Sequence, residues 1–239
     1  MPLTALERRP ALLVLVSLIG GLSAYQTRAV SRSLEAHNQN AARSELVAAV
    51  ERLLNQTKEQ AVTLAQWDET RQQLVLPEYY AYWRDQRVYE SGMLNRSLAQ
   101  AELYRLSGEP LAPSHEKSPM PVRLQSDLSA PEPTCWLTSE AGAIALYCSA
   151  PVYGEIQRQT LLGHSLVRID FMPALLRQDA LHFTDVASVR LALKPGETLA
   201  TSELLSRLTF NAQPDPNQQL FQTILSRTLL ALFVLLVAS

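Results

Sequence analysis

Only eight glycines and two cysteines occur in 239 residues, and from Leu22 to Leu76 there is neither a glycine nor a proline. That 55-residue gap removes the usual turn formers and excludes a multi-stranded arrangement there, leaving one long helix as the expectation. Positive charge is also scarce. A formal net charge of -2 and a pI near 6.1 provide no basic field of the kind that attracts nucleic acid, so no nucleic-acid partner is expected. The four histidines, His37, His115, His164 and His182, are scattered and form no ligand-spaced cluster with cysteine or carboxylate. No Gly-rich phosphate loop and no G-x-S-x-G elbow is present. Neither cofactor nor metal is expected, and these residues do not read as an enzyme. An extracytoplasmic hydrolase finds no nucleophile and base to match.

Apolar residues make up 47% of the chain, enough for one sizeable core plus membrane segments. After Glu7-Arg8-Arg9-Pro10 comes an uncharged run, Ala11 to Tyr25. It sits at the short end of a spanning helix, which needs roughly 20 residues, and a cleaved signal peptide has the same basic start and apolar middle. Thr228 to Ser239 is a second uncharged apolar stretch and tips the reading toward two spans bracketing an exported segment. The expected division is 1–10 cytoplasmic, 11–27 first transmembrane helix, 28–76 long periplasmic helix, 77–217 sensory core and 218–239 the start of a second transmembrane helix. Arg8 and Arg9 favour a cytoplasmic N-terminus.

Along the long helix, Val47, Val50, Leu54, Thr57, Ala61 and Leu64 fall on a 3-4 seam that Leu46 and Leu53 widen. A helix from Leu22 to Leu74 spans about 80 Å, far more than a bilayer needs. The protruding part is expected to pack on its own domain and on a second copy as a parallel homodimer; the alternative is an ordinary amphipathic core helix. Near its end stand Trp67, Asp68 and Glu69. Pro77 stops the helix and opens a stretch holding Tyr79, Tyr80, Tyr82, Trp83 and Tyr89, half of the eight tyrosines among them. Trp67, Asp68, Tyr79, Tyr80, Tyr82, Trp83 and Arg87 are the candidate ligand-binding residues. Aromatic rings would form the wall, Asp68 would meet a cationic or hydroxylated group, and Arg87 or Arg84 would meet an anion. The competing reading is plain core and helix packing, with Asp68 bonded to local backbone.

Ala101 to Pro113 reads as a hairpin turning at Ser107-Gly108. Six prolines between Pro110 and Pro133 mark a long exposed loop. A two-residue turn at Ala141-Gly142 would pair Leu137 with Leu146, Trp136 with Tyr147 and Cys135 with Cys148. Alternation then makes the cysteines a non-hydrogen-bonded pair about 4.5 Å apart at Cα, within reach of a disulfide. Two buried thiols are the alternative; a disulfide fits an oxidising compartment such as the periplasm. Further on, L-L-G-H-S-L-V-R-I-D alternates as a strand. Asp170 is placed to cap a helix from Phe171 to about Leu181, a last strand covers Ser188 to Leu193, and a short helix follows from about Ser202 to Phe210.

This order of elements, with Trp67, Asp68, Glu69 and Thr70 forming W-D-E-T, then L-Y-R-L-S-G-E, S-A-P-V-Y and G-H-S-L-V-R-I-D, resembles the fourth class of CHASE extracytoplasmic sensory domains. The resemblance covers about Arg28 to Leu181. It implies an α+β fold, a PAS-like or Cache-like antiparallel sheet packed on a long N-terminal helix and flanked by two transmembrane helices. It further implies a bacterial inner-membrane receptor whose periplasmic part senses a small molecule or a periplasmic protein. Such domains commonly precede a cytoplasmic diguanylate cyclase, a cyclic-diguanylate phosphodiesterase or a kinase. The alternative is a membrane-tethered or secreted binding module with no signalling output. Ala187 to Phe210 is longer than the family pattern allows before a second span.

Overall fold

The stretch free of glycine and proline forms two helices where one was expected, α1 (Ala5–Gln66) and α2 (Asp68–Val75). The computed structural model describes residues 5–112, 119–124, 130–140, 142–154, 160–178, 180–213, 223–224 and 226–227. The break falls at Trp67, whose backbone is extended at φ -70° and ψ 132°. Local propensity does not demand it, since neither glycine nor proline is near. The indole of Trp67 packs 5.9 Å from that of Trp83, and tertiary packing overrides the helical preference. The Trp67 N–H donates to Leu64 O at 3.3 Å to close α1, while Thr70 and Arg71 N–H groups both donate to Trp67 O to open α2. Asp68 and Glu69 thereby enter the first turn of α2, where the helix dipole favours negative charge. Leu76 leaves helical geometry ahead of Pro77, as expected.

The chain divides into two compact units. One comprises Met1–Glu45, His182–Ser188 and Phe210–Ser239. Within it the Glu45 carboxylate accepts the His182 and Phe183 N–H groups, each at 2.8 Å, and the Thr184 hydroxyl donates to Ala42 O at 3.2 Å. The segment 11–27 lies on α1. No helix among the described residues is long and apolar enough to cross a membrane. Thr228 to Ser239 lies outside the described residues, as does His115.

The other unit, Leu46–Leu181 with Val189–Thr209, holds the sheet. After α2 come a single helical turn, α3 (Tyr80–Tyr82), a π-helical turn, Trp83–Arg87, and another single turn, α4 (Val88–Glu90). Strands β1 (Ala99–Arg105), β2 (Thr134–Glu140), β3 (Ala143–Tyr153) and β4 (Leu161–Asp170) follow, then α5 (Phe171–Leu176). The unit finishes with β5 (Arg190–Leu191), β6 (Thr198–Ala200), α6 (Leu204–Arg207) and β7 (Leu208–Thr209). Five strands form an antiparallel sheet in the order β1-β4-β3-β2-β6, and β5 pairs with β7. The fold is thus α+β, with a long N-terminal helix and an antiparallel sheet.

The β2–β3 hairpin keeps the expected register, Leu137 with Leu146, Trp136 with Tyr147 and Cys135 with Cys148, and Gly142 supplies the positive φ of its turn. Cys135 and Cys148 form a disulfide with Cα atoms 4.2 Å apart. Ser165 shares a sheet face with Leu103, Val167, Cys148 and Leu146, and its hydroxyl donates to Ala61 O of α1 at 2.9 Å. On α1, Leu46, Val50, Leu53, Thr57, Ala61 and Leu64 are buried within this chain. Most of the expected seam thus packs on the chain's own residues, while Val47 and Leu54 stay half-buried.

Four expectations shift. Residues 119–124 of the proline-rich stretch are not simply exposed: Met120 and Leu124 join a core cluster with Tyr104, Tyr147 and Leu166. The Tyr104 and Tyr147 hydroxyls donate to Pro121 O at 2.7 Å and Pro119 O at 2.9 Å, holding that segment down. Helix α5 stops at Leu176, short of Leu181, because the Gln178 amide reaches Ala49 O of α1 at 3.1 Å. The last expected strand shortens to β5, and the short helix to α6 with a 3-10 turn before it. Strand β6, which extends the sheet at β2, was not anticipated.

Candidate functional site

Of the candidate residues, Trp67, Tyr80, Trp83 and Arg87 come together. Trp83 is fully buried, its ring 5.9 Å from Trp67 on one side and 5.6 Å from Tyr80, stacked at 20°, on the other. The Arg87 guanidinium lies 5.8 Å from the Trp67 ring centroid and grips the Glu69 carboxylate at 2.7 to 3.2 Å. The π-helical turn Trp83–Arg87 sets these directions, and such single-turn bulges recur at functional places in helices. Tyr79 and Tyr82 stand outside the stack, each 46% exposed, and the Tyr82 hydroxyl donates to Glu90. Asp68 points away from the stack and pairs with Arg71, at the surface.

Beneath the stack lies a residue that sequence reasoning passed over. Glu102 of β1 is fully buried. Its carboxylate accepts a hydrogen bond from the Tyr80 hydroxyl, the Leu103 N–H at 3.2 Å and Arg84 at 3.4 Å. The Tyr80 hydroxyl in turn accepts the Leu103 N–H at 2.9 Å, and Arg84 also bonds Asp85 at 2.8 Å. Burial raises the Glu102 carboxyl above its ordinary 4.5, while Tyr80 and Arg84 pull it back. Burial and then the Glu102 charge push the Tyr80 phenol well up, keeping it a neutral donor. An isolated glutamate between apolar neighbours in A-E-L-Y-R is itself a signal, because such positions on a strand seldom tolerate a charge without a partner.

Arg84 and Arg87 are thus both engaged by carboxylates of the chain itself. The cluster knits α2, the π-turn and β1 into one piece. A separate cleft of about 690 Å³ opens where α1 ends, lined by Val62, Arg71, Pro131, Pro133, Pro151 and Tyr153 among others. Arg71 is its link to the W-D-E-T stretch: one guanidinium nitrogen donates to Gln66 O at 3.1 Å and also reaches Asp68. Among the described residues no group of three or more His, Cys, Asp or Glu side chains is placed to hold a metal ion.

No family model and no curated protein matches the chain. Among solved structures it is similar to a crystal structure of a domain from a sensory box/GGDEF family protein of Vibrio parahaemolyticus, at 14% identity and a TM-score of 0.42, covering 62% of this chain and 67% of that one.

Proposed function

We propose that this chain is the periplasmic sensory part of a bacterial inner-membrane receptor, similar to the fourth class of CHASE domains. A ligand, or a periplasmic partner, shifts the packing between the sheet and the long helix, and that helix carries the change toward a cytoplasmic diguanylate cyclase, phosphodiesterase or kinase. The observation that carries this reading is α1 itself. It runs unbroken from the apolar segment 11–27 to Gln66, and its only interruption before Pro77 is Trp67, the first residue of the W-D-E-T motif. Such a switch needs two states that differ in affinity for the stimulus, and a helix break is a place where two states can differ. The Cys135–Cys148 disulfide suits an oxidising compartment. Leu18, Tyr25, Val30 and Leu34 are exposed on α1 and offer a second copy further surface.

Alkaline phosphatase fused after Ala212 should be active outside the cytoplasm, and the coding sequence beyond Ser239 should continue into an effector. Cytoplasmic location of the fusion would end the receptor reading. A stop codon directly after Ser239 would favour the tethered or secreted binding module instead.

A further inference from the structure

We infer that the cleft beside the helix break, and not the aromatic stack, is the ligand site, and that it takes a small organic carboxylate. This rests on the sensory reading and gives it a place and a chemistry.

The volume, about 690 Å³, is that of a small-molecule site, which typically measures roughly 300–1,000 Å³. Three prolines, Val62 and Tyr153 line it together with the polar Gln66 and Arg71, a mixed wall in which polar surface is well represented. Arg71 is the one charged residue among the described lining residues, and its guanidinium favours an anion over a cation. A single planar guanidinium, with no second cation among the described lining residues, matches a carboxylate better than a phosphate, whose three oxygens call for more donors.

Arg71 is available. Its side chain is a quarter exposed, and the side chain of its partner Asp68 is 72% exposed, so their ion pair is the weak, solvent-screened kind that an incoming carboxylate can replace. The aromatic stack offers no such cation, because Arg84 and Arg87 are held by Glu102 and Glu69. Position adds the consequence. Arg71 bridges Gln66 O at the end of α1 and Asp68 at the start of α2, spanning Trp67. A ligand that takes the guanidinium from Asp68 acts directly on the break.

Sodium benzoate and hexanoate, each against its amide (benzamide, hexanamide), test this by calorimetric titration of the full chain with thermal unfolding alongside. The carboxylates should bind at least about tenfold more tightly than the amides, since only they can form the charge-assisted pair. Arg71→Gln should reduce the acids to the level of the amides. Val62→Trp, which keeps Arg71 and fills the cleft, should weaken both acids as well, and Asp68→Asn should tighten them by removing the competitor. Equal binding of acid and amide, full benzoate affinity in folded Arg71→Gln protein, or no saturable binding by either acid would overturn the assignment. Inorganic phosphate binding as tightly as benzoate would overturn the carboxylate class. Effector output is read separately. Benzoate that binds through Arg71 without moving the output sinks the sensory reading and leaves the cleft standing; a stimulus response undiminished in Arg71→Gln does the reverse.

Discussion

The Glu102 network and the Arg71 cleft are two polar features of one unit with opposite designs. Around Glu102 every charged group faces a partner from the chain, the rings of Trp67, Trp83 and Tyr80 exclude water, and the exposed edge of β1 is closed by a tyrosine hydroxyl. Around Arg71 the partner is a surface aspartate and the wall is open. The first arrangement stabilises and fixes a conformation; the second leaves interaction free energy for something outside the chain. Aromatic density in the sequence therefore marks the rigid support, and an arginine that the fold brings near three prolines marks the opening.

The largest effect should come from Trp83→Ala, which empties the centre of the closed region and should cost about 3–5 kcal/mol by urea unfolding. A loss below about 1 kcal/mol would show that the stack is not a structural centre. Arg84→Met should cost roughly 3 kcal/mol at pH 8, because Glu102 then stays buried without its cation. The cost should shrink in acid, where Glu102 takes up a proton. Glu102→Gln tests the same region through pH. A raised carboxyl favours the folded state fully below the ordinary 4.5, and that contribution is lost as pH rises through the raised folded value. Wild-type thermal stability should therefore fall across that window by more than the Gln variant's does; parallel melting curves would sink the assignment. The smallest effect belongs to the open region. Asp68→Ala should change stability by less than about 1 kcal/mol while altering signal output, and unfolding of that variant would make Asp68 structural.

How legible each region was follows from the distance over which its cause acts. The Cys135–Cys148 hairpin could be derived because a two-residue turn fixes the pairing of every residue that follows it. Leu76 before Pro77 was equally local. The break at Trp67 was not legible, because its cause is the ring of Trp83, which arrives from the next helical segment. Trp67, Tyr80, Trp83 and Arg87 pack together, yet what they do depends on Glu69 and Glu102, and pattern alone cannot show which cations are already engaged. Arg71 directly follows the W-D-E-T stretch, but no local pattern marks it as a site residue. The prolines that give it a cleft come from the loop before β2 and the end of β3, and only the fold brings them near. Two tyrosine hydroxyls likewise drew Met120 and Leu124 of an apparent surface loop into the core.

Gly163 of β4 sits under α2, and a Cβ added there would lie 2.9 Å from Leu74 and closer still to the carbonyl oxygen of Tyr104. The backbone oxygen cannot yield as a side chain can, so the position is closed to every larger residue while β1 stays paired beside it. The evolutionary consequence concerns more than one position. Any descendant that enlarges residue 163 must also shed bulk at residue 74 and loosen β1, so these sites should change together or not at all. In an alignment of true relatives that joint constraint would identify the fold more reliably than the W-D-E-T letters do, because it follows from the space between a helix and a sheet.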